Sequence, residues 1–244
     1  MPCPPPASAD PLSSLAGREG VASAVASARD AVDALLRDRG LRRVDAADTV
    51  ESLLRGAAAS AVLEGSASSI DDLRAGVADR VAQGAVRVSA ELLGLLPTWR
   101  HSPVQALARL HALAADADEP TRGRPVSTAG AARLHDLAQL VQQPTSAPAM
   151  VLAAVVHAEV MTAQAFPSRN GVVARAAERL VLVASGVDPA SVTVPEAGHA
   201  RSPQAYVQAL AGYGSGGSAG VVAWVLHAAD AYAYGVEQTP LARR

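Results

Sequence analysis

The stretch from Gln164 to Arg175, QAFPSRNGVVAR, gathers the residues of this chain best suited to binding chemistry. Phe166 is the only phenylalanine in a chain that is 50% hydrophobic but 3% aromatic. Asn170 and Gly171 suit the turn into a helix: both tolerate unusual φ, and glycine lets a ligand approach the backbone. The first N–H groups of a helix starting there lack intrahelical acceptors and carry partial positive charge, which favours a phosphate. Arg175 lies four residues after Gly171 and Arg179 four after that, so the three share one face. An anion site fits this pattern. So does an ordinary helix start with solvated arginines, Arg175 pairing locally with Glu178.

The elements that must position these residues read as helices nearly throughout. Val21, Val25, Ala28, Val32, Leu35 and Leu36 form one apolar face, and Gly40 can close that helix in the left-handed region. A second helix starts at Asp48, with Glu51 as a capping-box-like partner, and stops at Gly65. Residues 66–97 give one or two more. Further helices are expected near 102–116, 131–142, 148–164, 171–185, 202–212 and 219–234. The segment 119–130 reads as a loop, with a short hairpin as the alternative. No internal repeat and no convincing period-2 strand is present, so the class is all-α. The expected organisation is a disordered tip over 1–18, rich in Pro, Ser and Ala, an N-terminal helical region over 19–97 and a helical core over 98–240.

The loop and its flanks resemble the core motif of the Fic (Fido) family, HPFx(D/E)GNGRxxR. Phe166, Asn170, Gly171 and Arg175 match. Gln164 stands at the catalytic His, Ala165 at the Pro, Ser168 at the metal-binding acid, Arg169 at the first Gly and Val172 at the first Arg. Upstream, VVHAEVMTAQAF keeps the family's helix pattern, with His157 seven residues before Gln164. Residues 60–65, SAVLEG, resemble the inhibitory motif (S/T)xxxE(G/N), with Ser60, Glu64 and Gly65 at its fixed positions. The resemblance implies a Fic-like helical bundle, with a hairpin flap as an option, in which Glu64 faces Arg175 over a nucleotide site. The physics of Glu64 agrees: it shares a stripe with Leu53, Leu54, Ala57 and Ser60 or Ala61, and it sits in a last turn where the helix dipole disfavours an anion. Such a carboxylate calls for a cation.

Family members mostly transfer AMP from ATP to protein hydroxyls. Gln164 has no basic pKa and cannot act as the general base. A serine hydroxyl at 168 is a weak substitute for a carboxylate towards Mg²⁺. Arg169 restricts the phosphate turn, although its charge can still meet a phosphate, and Val172 removes one guanidinium. The resemblance therefore implies a degenerate protein whose Phe166, Arg169, Asn170, Gly171 and Arg175 line a nucleotide or anion pocket. ATP is its candidate ligand, a Mg²⁺ cofactor is doubtful, and it acts through a ligand or a protein partner. A divergent nucleotidyl transferase and a purely structural interaction domain are the alternatives.

Composition narrows the rest. All 21 basic residues are arginine, which excludes Schiff-base and P-loop lysines. A net charge of −2 with interspersed signs argues against nucleic acid or an anionic membrane as partner. The single cysteine, Cys3, excludes an internal disulfide. No signal-peptide pattern opens the chain and no apolar run spans a bilayer, so a cytoplasmic protein is expected. The six histidines show no HxxxH spacing, which argues against a structural zinc site, and His157 reads as a packed helix residue. GYGSGG at 212–217 contains GxGxxG but follows no strand, so it reads as a connector.

Overall fold

Residues 170–183 are buried without a break, which requires a helix surrounded on every side. A computed structural model describes residues 10–39 and 44–243 and places this helix at its centre. In chain order the helices are α1 (Pro11–Ala16), α2 (Val21–Arg39), α3 (Ala46–Leu63), α4 (Ile70–Ala75), α5 (Arg80–Glu91), α6 (Leu96–His101), α7 (Pro103–Ala114), α8 (Thr128–Gln142), α9 (Ala149–Ala163), α10 (Asn170–Ala184), α11 (Pro195–Ala200), α12 (Pro203–Gly214) and α13 (Ser218–Glu237). Short 3₁₀ turns cover Leu93–Leu95 and Pro240–Arg243. Among the described residues there is no strand.

α9 and α10 form a helical hairpin through the loop at 164–169, and α3, α5, α6, α7 and α11 pack on the remaining faces of α10. α9 is itself apolar nearly all round, with Val151, Ala154, Val156, Ala158 and Val160 fully buried. The core is built mainly of Ala, Val and Leu. Small residues let helices approach closely. A methyl at Gly198 in α11 would collide with the Ala231 backbone of α13, and one at Gly84 in α5 would collide with the Ala114 carbonyl of α7.

Several sequence expectations change. The hairpin option at 119–130 is not realised: the segment is a run of turns leading into α8. The expected disordered tip over 1–18 lies outside the described residues up to residue 9, but residues 10–16 are a capped helix start. Asp10 accepts from the Leu12 and Ser13 N–H groups, and Leu12 is buried. The expected closure of α2 by Gly40 lies outside the described residues. α3 begins earlier than Asp48: Asp45 is the N-cap and Asp48 its reciprocal partner, because an aspartate at N3 can return the bond that Glu or Gln usually supplies. α11 lies in a stretch where no helix was expected; Pro195 begins it at a position where a missing N–H costs nothing.

Candidate functional site

α9 ends in the motif loop. Its C-cap, Gln164, adopts the left-handed region at φ 43°, and its amide donates to the Met161 carbonyl at 2.5 Å. The side chain therefore folds back on the helix it ends and stays exposed. Asn170 holds the loop shut: its Oδ1 accepts from the Phe166 N–H at 3.1 Å and its Nδ2 donates to the Phe166 carbonyl at 2.8 Å. Phe166 is buried and stacks on His111 of α7, with ring centroids 4.4 Å apart and planes 5° apart. Arg169, also left-handed at φ 54°, is the N-cap of α10 and gives it no side-chain cap bond.

The segment before α8 covers this loop. Val126 N–H donates to the Ala165 carbonyl at 2.8 Å. Ser168 Oγ donates to Glu119 at 2.6 Å, and Arg169 lies 3.5 Å from Asp116. His111 Nδ1 accepts from the Gly123 N–H at 2.9 Å, and its Nε2 lies 3.3 Å from Glu119 Oε1. Burial holds the His111 imidazole below its ordinary pKa; Glu119 opposes this and Arg122 adds to it. The loop thus has three partners that the sequence reading missed: His111, Asp116 and Glu119. The acidic run 116–119 was a visible signal, but its target lies about fifty residues onward. For magnesium the fit is poor. Position 168 offers a hydroxyl that already donates to Glu119 Oε2, and the other oxygen of that carboxylate is buried against the His111 ring without a hydrogen bond.

At the start of α10, where the sequence led us to expect an anion, a carboxylate of the chain itself sits. Glu64 Oε1 lies 2.9 Å from Arg175 Nη2 and packs so closely on Gly171 that a methyl there would collide with it. Arg175 is 1% exposed. Its Nε donates to Ser60 Oγ at 2.9 Å, its Nη2 also to the Ser60 carbonyl at 3.1 Å, and its Nη1 to Tyr206 Oη at 3.0 Å. The spacing of Ser60, Glu64 and Gly65 now has a local reason. Ser60 and Glu64 are one turn apart on α3 and reach the same guanidinium. Gly65, at φ +85°, then ends the helix in a conformation that glycine adopts freely. Burial opposes the charge on Arg175, but Tyr206 and Glu64 outweigh it and raise the guanidinium pKa.

Arg179 does not join the anion position, although it shares a helix face with Arg175. It is buried against Glu196 of α11, with the ion pair at 2.5 Å, and also donates to Ser191 Oγ and the Thr193 carbonyl, both at 2.9 Å. Val172 is 2% exposed and part of the core. The local pair of Arg175 with Glu178 does not form either. Glu178 faces away, into a buried cluster with His157, His199 and Tyr232.

No protein-family model and no curated protein matches the chain. Solved structures do. A Fic family protein from Desulfovibrio desulfuricans G20 superposes with a TM-score of 0.75 at 17% identity, over 88% of this chain and 73% of that one. Fic-1 (residues 134–508) from C. elegans gives a TM-score of 0.66 at 13% identity, over 89% of this chain and 72% of that one. The chain has a Fic-like, all-α fold.

Proposed function

We propose that this chain is a Fic-fold pseudoenzyme that binds an anionic, nucleotide-type ligand without transferring a group from it. The observation that carries this reading is the pairing of Glu64 with Arg175 over Gly171. It supports an anion position at the start of α10 that a phosphate and the Glu64 carboxylate would contest. The ligand would meet Arg175, the first N–H groups of α10, and the loop shaped by Phe166, Arg169, Asn170 and Gly171. ATP is the natural probe.

Transfer would need a base beside the attacking hydroxyl. Gln164 stands at the motif position for it and carries an amide that cannot take a proton. The imidazole nearest the loop, His111 of α7, is buried with its Nδ1 engaged by Gly123 and its Nε2 against Glu119, so it does not take the place of Gln164. Incubation of the purified protein with labelled ATP and Mg²⁺ tests this reading. No labelled protein is expected. Labelling that disappears in Arg175→Ala would replace the pseudoenzyme with an active nucleotidyl transferase.

A further inference from the structure

Six rings, those of His157, His199, Tyr206, Trp224, His227 and Tyr232, gather around one buried carboxylate. Glu178 is 0% exposed. Its Oε2 lies 3.1 Å from His157 Nδ1 and 3.0 Å from His199 Nε2, and its Oε1 accepts from Tyr232 Oη at 2.8 Å. Trp224 packs on both imidazoles, at centroid distances of 4.9 and 5.7 Å. Among the described residues no arginine is paired with Glu178: Arg175 holds Glu64 and Arg179 holds Glu196. A carboxylate wholly removed from water needs a positive partner.

We propose that His157, Glu178 and His199 form a closed site for a divalent transition metal, with zinc the ion that suits it best. The three donor atoms lie within 4.8 Å of one another. Zinc bonds of about 2.0–2.2 Å in tetrahedral geometry set donor atoms about 3.3 Å apart, close to the 3.1 and 3.0 Å of the two imidazole–carboxylate pairs. His199 Nε2 faces both carboxylate oxygens, at 3.3 and 3.0 Å, so Glu178 can chelate with both and complete four donors. Two imidazoles and a carboxylate suit zinc over magnesium or calcium.

Two further observations fit an ion better than a bare hydrogen-bonded triad. His157 Nδ1 is buried and, despite its closeness to Glu178, makes no hydrogen bond of acceptable geometry. Each imidazole is also oriented through its far nitrogen, and the carboxylate by a hydroxyl. His157 Nε2 meets Tyr206 Oη at 2.9 Å, His199 Nδ1 meets His227 Nε2 at 3.3 Å, and Tyr232 fixes Glu178. With His157 Nε2–H donating to Tyr206 and His199 Nδ1–H donating to His227, the tautomers that outer contacts select in metal sites, Nδ1 of His157 and Nε2 of His199 would face Glu178 as lone pairs. The rings close the site to solvent, so the ion would join α9, α10 and α11 and hold the core together. It would play no part in the chemistry of the motif loop.

The test uses the full chain without a histidine tag. Elemental analysis of dialysed protein should find stoichiometric zinc. Protein refolded in a chelator should melt at a lower temperature, and zinc should restore the higher value. Refolding with Co²⁺ should give the visible bands of a four-coordinate ion. Glu178→Gln and His199→Gln should lose the metal. Two results would overturn the site: metal-free wild-type protein whose melting is indifferent to zinc during refolding, or full metal content retained by both variants. If the variants fail to fold, the wild-type refolding experiment decides alone.

Discussion

Glu64 Oε1 and Arg175 Nη2 stand 2.9 Å apart although 111 positions separate their residues. The guanidinium is buried and the carboxylate 19% exposed. Removing either partner should therefore behave like breaking a buried pair. Arg175→Met or Glu64→Ala is expected to cost about 3 kcal/mol or more in urea denaturation. The double variant should cost less than the sum of the two, because the second change no longer strands a charge. Strict additivity would mean that the contact carries no coupling.

Gly171 gives a sharper geometric test. A methyl there meets the Glu64 carboxylate and lies 3.0 and 3.1 Å from the Arg175 guanidinium nitrogens. Gly171→Ala should cost about 1–3 kcal/mol through this crowding. The cost should shrink when Glu64→Gly removes the carboxylate. An equal penalty in both backgrounds, read from thermal or chemical melts, would place the strain somewhere other than this contact.

The Arg179–Glu196 pair should matter for stability more than the Arg169–Asp116 contact. The first is buried on both sides at 2.5 Å; the second is at 3.5 Å, with side chains 18% and 30% exposed. Glu196→Gln is expected to cost about 3 kcal/mol or more, and Asp116→Asn under about 1 kcal/mol. Comparable losses in parallel denaturation curves would contradict the ranking.

His111 should add to acid sensitivity. Its folded pKa is held below the ordinary value of about 6.5 by burial and Arg122, against the pull of Glu119. The unfolded chain then binds the proton more readily. The ring's contribution to stability is present above the ordinary value and is lost as pH falls through it towards the folded pKa. An NMR titration of the His111 C2 proton should show a midpoint below the free-histidine value. A midpoint at or above it would mean that the stacked ring is not shielded as found.

Much of the fold was legible in the chain because turn and capping residues mark where its helices stop, even for α9 and α10, which are apolar or buried on nearly every side. α7, α8, α9, α10, α12 and α13 all begin and end within a few residues of the expected bounds. α1 was hidden because Pro, Ser and Ala dominate its surroundings, while its actual signals are one capping aspartate and one buried leucine. Around the loop, Glu64 and Arg175 were readable only because two short patterns named them. Glu119 and His111 were not readable, since nothing local ties residues 111 and 119 to Ser168. The Glu178 cluster was invisible for the same reason. His157, Glu178 and His199 lie on three helices and share no spacing rule, so only the packing of α9, α10 and α11 brings them together.

Restoring the base alone should not restore transfer. In Gln164→His the new imidazole would still lack a carboxylate at 168, a glycine at 169 and an arginine at 172. Labelled ATP with this variant should give no modified protein. Strong labelling from the single change would show that the site retains more of a transferase than the residues at those positions suggest.

Calorimetric titration of ATP into the wild-type protein, Glu64→Gly and Arg175→Ala, with and without Mg²⁺ and with transfer assayed in parallel, decides whether Glu64 and a nucleotide compete for Arg175. Binding should strengthen when the Glu64 carboxylate is removed, depend little on Mg²⁺, and leave no AMP on the protein. Absence of binding in both wild type and Glu64→Gly, Arg175→Ala binding as well as Glu64→Gly, or AMP transfer by any of the three would contradict this reading.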